Sequence, residues 1–563
     1  MFWHSKRGTS RPQRKALQLR VEALEPRQML SGTVQVQLNT VNSVTSLTLS
    51  ATVSNAYVQL ESAENASGQD IFGEYVITGL PDAGGNQTYI GTSGQTSQTV
   101  YGVNGNINVA LGQGYNQFDF EGMGTAAPPA SQGTWIAANS RSTLPGSLNI
   151  INGGGTNTNI INNVNVNGDF TVTQATGMVA DSTLDMYNST VIGDTVVNNA
   201  NGLGYGASTT FTNCTLDGNT QNLTLTKYLA LQVNNGAGTS TVTVNGNANG
   251  NSVLGSSTPT AADTIVSISN NSGNQGSSFT VFTNGTATVG PTVYGGVQIT
   301  NAAAPTGCTN FVSLNQATVY GAVAVNNGAG TASTTVGSSG LGTVYSSYSP
   351  LTVTNGAGLD SASITDSIIP SGVFLTNDAG GASGTGVFGS TTTVTGSTIG
   401  ANPAGLINSK GVVEPAFYLS GDQGSNTVNF LTDSTGGITQ FGVGTVVQIA
   451  LGGGGNTVDL DSATMSSLQL TTGAGSNSVT LKGVQISYSV DIDMTGGANT
   501  LTLVKSTWKN SSGQTYYSSL PSPLTGNVLI DGGTALGNTL NYDIQLPTNG
   551  VSGFDNSNYN PNS

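Results

Sequence analysis

Charge is what this chain has least of. Charged residues make up 7% of it, against about 25% in an ordinary globular protein. Thirteen residues are basic, and seven of these (Lys6, Arg7, Arg11, Arg14, Lys15, Arg20 and Arg27) fall within the first 27 positions. After Arg27, six basic residues face twenty-six acidic ones, a formal −20. A body of that sign repels phosphate, whose neutralisation needs clustered Lys or Arg, so nucleic acid is not an expected partner; the seven basic charges of the head make only a weak case for nucleic acid or an anionic membrane. Histidine occurs once, as His4 in the basic head. That excludes an ordinary zinc site and leaves any Ser or Thr nucleophile of the body without a histidine base. Cysteine occurs twice, with no CxxC. Cys214 and Cys308 either form a disulfide, which a secreted setting permits, or are two small buried hydrophobes. No apolar run approaches the roughly 18 residues that mark a transmembrane helix. Walker, HExxH and strand-linked GxGxxG motifs are missing too.

What remains is glycine (79 residues), with abundant Thr, Ser and Asn around scattered Val, Ile and Leu. That mixture suits short strands joined by turns. The turns recur. GSNTVNF, GGNTVDL, GSNSVTL, GANTLTL and GNTLNY place asparagines at 426, 456, 477, 499 and 538. The spacing sets a period near 21–22, with an insertion in the first interval and two turns in the last. Alternation before and after each turn (Val447, Ile449 and Leu451; Val458 and Leu460; Val490, Ile492 and Met494) puts the apolar residues on one face of each strand. A single coil of that size cannot bury its apolar face, whereas stacked coils cover one another. The expected fold is therefore all-β, a right-handed parallel β-helix (β-solenoid) with coils of about 21–22 residues. Asparagines repeating at one corner suit left-handed backbone and side-chain amide ladders. Diverged copies begin at Leu148, Leu231, Val323 and Leu351. The expected division is a basic leader over 1–32, a β cap or small β domain over 33–144, the helix over 145–545 and a polar tail over 546–563. Nineteen or so coils would span on the order of 90 Å.

The end of the basic head reads LEPRQMLSG. It resembles the N-terminal LEPR-XLL element of secreted or surface proteins of Planctomycetes. Leu24, Glu25, Pro26, Arg27, Leu30 and Ser31 match that element, Gln28 takes its variable place, and Met29 replaces a usual leucine. The resemblance is confined to the run from Leu24 to Gly32 and the basic stretch that leads into it. It implies export, cleavage near Ser31 and a secreted or cell-surface location, and it implies nothing about activity.

Two acidic pairs remain as candidate chemistry. Asp459 and Asp461 share one strand face, as do Asp491 and Asp493. Either pair could ligate calcium or serve as acid and base at a glycosidic bond, or simply form the outward face opposite Val458, Leu460, Val490 and Ile492. Lys482 follows one coil after the first pair. The expected function is a structural or adhesive rod without catalytic activity and without a cofactor, calcium at the acidic pairs being the one candidate. Its expected partners are extracellular glycan, envelope components or copies of itself. The alternative is a β-helical polysaccharide lyase or glycoside hydrolase.

Overall fold

In the computed structural model the chain is a parallel β-solenoid. The structure describes residues 32–559 apart from 52–54, 67–69, 93, 123–140, 175–180, 200–204, 219–228, 248–249, 257–263, 272–275, 286–288, 305–306, 338–343, 346–349, 378–388, 403–413, 422, 506, 510–514, 518–527, 544–545 and 547–549. Every regular element among the described residues is a strand.

One coil shows how the sequence makes the fold. Leu148–Asn152 forms a first face, Asn157–Asn162 a second and Val164–Val166 a short third. The next coil repeats the order with Phe170–Gln174, Ser182–Tyr187 and Thr190–Val191, each paired in parallel with its predecessor. Inward positions are mostly apolar on all three faces, with buried Asn and Thr among them. One column of the first face runs Ile150, Val172, Val197, Val233, Ile268 and Ile299, and each of these is buried. Where side chains must span the whole triangular section, Phe417, Phe430 and Phe441 come one from each face, with ring centroids 5.4–5.9 Å apart. Fully burying each such ring contributes roughly 1.5–3 kcal/mol.

The parallel ladder starts ahead of residue 145. Val44–Ala51 and Tyr57–Glu64 already pair in parallel with Ile107–Leu111 and Asn116–Glu121. The opposite edges of these first strands are covered by antiparallel partners, Thr33–Val41 and Asp70–Gly79. An open first rung would offer unpaired backbone to other chains, and this antiparallel layer acts as its cap. At the other end, pairing continues past residue 545 through Val551–Ser552 and Asn556–Tyr559.

The expected short period holds from Leu148 to Phe170, from Leu351 to Val373, and in two successive coils, Val447 to Leu468 and Leu468 to Val490. In the last two a single bulged strand, Ala463–Thr472 or Gln485–Met494, serves both the third face and the first, so one corner loop is saved. Other coils are longer: Phe170 pairs with Thr195, and Val373 with Phe417. The interval from Asn499 to Asn538 is one coil, not two, because Thr500 pairs directly with Thr539. The excess carries a small antiparallel pair, Thr507–Lys509 with Thr515–Tyr517. Longer coils mean fewer rungs, and the stack spans on the order of 80 Å at the usual strand spacing.

Stacking also fixes the corner glycines. Gly475 has φ 128°, and a Cβ there would lie 2.0 Å from the carbonyl oxygen of Gly454 one coil below. Gly475→Ala should cost roughly 3 kcal/mol or more. Gly444→Ala has the same backbone problem but open space around it, so it should cost only about 1–2 kcal/mol. Denaturant midpoints of the two variants check the difference; equal midpoints would contradict close packing at this corner.

Candidate functional site

The corner between the first and second faces holds the most ordered polar chemistry. Asn426, Asn456, Asn477, Asn499 and Asn538 stand in register and are all buried. The Nδ2 of Asn426, Asn456 and Asn477 each donates to the Oδ1 of the next asparagine at 2.9 Å. Each acceptor Oδ1 also receives the backbone N–H of the preceding asparagine at 3.0–3.2 Å. At the last step only the backbone continues, Asn499 N–H donating to Asn538 Oδ1 at 2.9 Å. These asparagines are structural, as their phase in the sequence implies.

A second ladder runs through the middle of the chain and was not read from the sequence. Asn199, Asn235, Asn270, Asn301, Asn327, Asn355 and Asn377 pass the same Nδ2-to-Oδ1 bond along at 2.6–2.9 Å. They end the first face, on the other side of the same corner. Where a first-face asparagine fills the corner, the second-face position holds Ala207, Ser240, Ser278, Ala332, Asp360 or Ser390, except in one coil, where Asn310 accompanies Asn301. A signal was present, since Asn235 in LQVNN keeps the inward phase of Leu231 and Val233.

Outward positions carry a different pattern. On the second face, every coil from Ser333 to Thr539 presents Ser or Thr at one column. The column two residues on, from Thr335 to Asn541, holds Thr, Ser, Asn and one carboxylate, Asp459.

The acidic pairs do not converge. Asp459 and Asp461 lie on the second face, while Asp491 and Asp493 lie exposed on the first, beside Gln469 and Thr471 on one side and Leu529 and Asp531 on the other. Asp461 is in register with Lys482 and accepts its ammonium at 2.9 Å. Lys482 thus reaches the first pair, with its pKa raised by the hydrogen bond to Asp461. Burial raises the Asp459 pKa and Asp461 adds to the rise, with Lys482 opposing. Among the described residues, no three His, Cys, Asp or Glu side chains gather as a metal-holding group. The six matching residues of the LEPR-like element, Leu24, Glu25, Pro26, Arg27, Leu30 and Ser31, lie outside the described residues.

Another carboxylate group, near the cap, was also missed. Glu61 and Glu121 are register partners, and Asp119 lies two residues before Glu121 on the same outward side. Burial pushes Glu121 up to about 7 against a hydrogen bond from Asn162, with Asp119 and Glu61 adding to the rise. Burial also pushes Asp119 up to about 6, opposed by the Gln117 amide. FDFE, with its aromatic residues inward, was the available sign.

The two cysteines are free thiols, which corrects the candidate disulfide. Cys214 is sealed in the corner after Ala207–Thr212, whereas Cys308 enters the strand Thr309–Leu314 three coils later. Three rungs are roughly 14 Å along the axis, beyond the roughly 7 Å Cα separation a disulfide can bridge. Burial pushes the Cys214 thiol up to about 12. A maleimide should therefore label one thiol, Cys308, in the native protein and both in denaturant, without reductant. A single unlabelled disulfide would contradict the register.

The fold and these geometries define a parallel β-solenoid protein with internal amide ladders. No protein family, curated protein or solved structure matches the chain. No helix among the described residues is long and apolar enough to cross a membrane.

Proposed function

We propose that the protein is a secreted or cell-surface structural and adhesive rod without catalytic activity. The observation that carries this reading is the regularity of the outward second face, where coil after coil repeats short hydroxyl and amide groups. Such a face repeats along its length, as a surface for extended contact does, while a catalytic centre needs unlike groups converging at one place. The LEPR-like element supports export. The second reading, a polysaccharide lyase or glycoside hydrolase, is favoured by the Lys482–Asp461 ion pair beside Asp459. Cell fractionation should place the native protein in the envelope or the medium, and a panel of acidic polysaccharides should show no new reducing or unsaturated ends. Cytoplasmic recovery, or cleavage lost on Asp459→Asn, would overturn the proposal.

A further inference from the structure

We infer that the two outward columns of the second face, from Ser333 to Thr539, form a docking strip for a neutral, extended β-linked polysaccharide lying along the solenoid axis. The inference rests on the adhesive reading above and names its ligand class and its place.

Three observations carry it. The first is spacing. Ser333, Ser361, Thr391, Thr427, Thr457 and Ser478 follow one another on successive rungs, about 4.8 Å apart, and the second column lies about 6.7 Å away. Extended β-1,4-linked pyranose chains rise by nearly one rung per sugar and turn over at each step, so like hydroxyls meet equivalent side chains on every second rung. An eight-coil strip of roughly 35 Å would engage several sugars at once, which lets individually weak hydrogen bonds act together.

The second is charge. The two columns contain no basic residue and one carboxylate, Asp459, and the adjoining Lys482 is held by Asp461. A polyanion would gain nothing there and would meet Asp459, whereas a neutral polyol can donate to and accept from every Ser, Thr and Asn.

The third is the head of the strip. Phe279 and Phe311 occupy the same column on the two preceding coils, half-buried and outward, with ring centroids 6.2 Å apart. An aromatic pair in line with a hydroxyl row offers apolar ring surface against the C–H face of a terminal sugar.

The test uses the full chain, sedimented with insoluble cellulose, β-1,4-mannan and chitin, with soluble polyuronate as the anionic comparison. The double variant Thr393→Lys/Thr480→Lys places two ammonium groups in the strip, and Thr352→Lys/Gln448→Lys places two outward on the first face. The expected result is binding to at least one neutral polymer, weakened tenfold or more by the strip variant and changed less than twofold by the first-face variant. Equal binding by both variants would remove the strip while leaving adhesion intact. Absence of binding to all three polymers would also overturn the inference, and the fractionation experiment would still decide the adhesive reading separately. Dimerisation or ice-growth inhibition abolished by the strip variant, without polymer binding, would assign the strip to a second copy or to ice instead.

Discussion

Asn477→Ala should destabilise the protein by roughly 3–5 kcal/mol, although it deletes only a small polar group. Asn477 is 2% exposed. Its Oδ1 accepts from both the backbone N–H and the Nδ2 of Asn456, and its Nδ2 donates to Asn499 Oδ1 and to the carbonyls of Gly473 and Gly475. Alanine leaves the Asn456 N–H buried without its acceptor and two corner carbonyls without their donor. An unsatisfied buried group costs about 1–3 kcal/mol, and several are created together. The neighbouring substitution Thr480→Ala removes an outward hydroxyl from the strand that Asn477 leads into and should stay within about 0.5 kcal/mol. Because solenoids are stabilised coil by coil, hydrogen exchange should show the loss concentrated in the coils around residues 456–499. Equal effects of the two substitutions would mean that the amide ladder is not a principal part of the corner.

The second large effect is a pH dependence centred on Glu121. Its folded pKa, about 7, lies above the ordinary glutamate value of 4.5, chiefly because it is buried. The unfolded chain therefore ionises this group first. The stability it contributes is fully present below about pH 4.5 and is lost as pH rises towards 7, after which the loss is constant. A shift of this size corresponds to about 3 kcal/mol at full burial, and partial exposure reduces it to roughly 2 kcal/mol. Asp119, pushed up to about 6, loses stability over an overlapping range. Glu121→Gln keeps the shape and removes the titration. It should be close to neutral at pH 4 and stabilising by roughly 2 kcal/mol at pH 8. Denaturant unfolding at both pH values reads the difference. The opposite order would mean that the carboxylate is held by a favourable partner.

These two sites also mark what could be read from the chain. The C-terminal ladder was legible because Asn456, Asn477 and Asn499 repeat at almost constant spacing inside glycine turns, so phase and chemistry pointed to one corner. The middle ladder was hidden because its asparagines end the first-face strand ahead of the turn, as Asn235 and Asn327 do in NNGAG, and so changed faces while keeping the same role. Both solutions fill the same corner with side-chain amides, and only the stacked register shows that they are equivalent. The period was misjudged beyond residue 500 for a related reason. An insertion at a corner lengthens a coil without disturbing the pairing of its strands, so the interval from Asn499 to Asn538 looked like two turns. Asp461 and Lys482 met because both end second-face strands on neighbouring rungs. Their separation in sequence implies that contact only once it is known to equal one coil. Glu61 and Glu121 are distant in sequence and share a rung boundary through the cap, and no local pattern announces that.

The central claim is that each strand pairing advances the chain by one rung along a single axis. Spin labels at Thr241→Cys and Thr427→Cys, in a Cys308→Ser background with Cys214 buried, stand in the same outward column, six pairings apart. Labels at Thr241→Cys and Thr500→Cys stand nine pairings apart, through Thr457 and Ser478. Electron–electron distance measurements should give narrow distributions near roughly 29 Å and 43 Å. Distances that fail to grow in that proportion, or a broad spread for either pair, would contradict the stack.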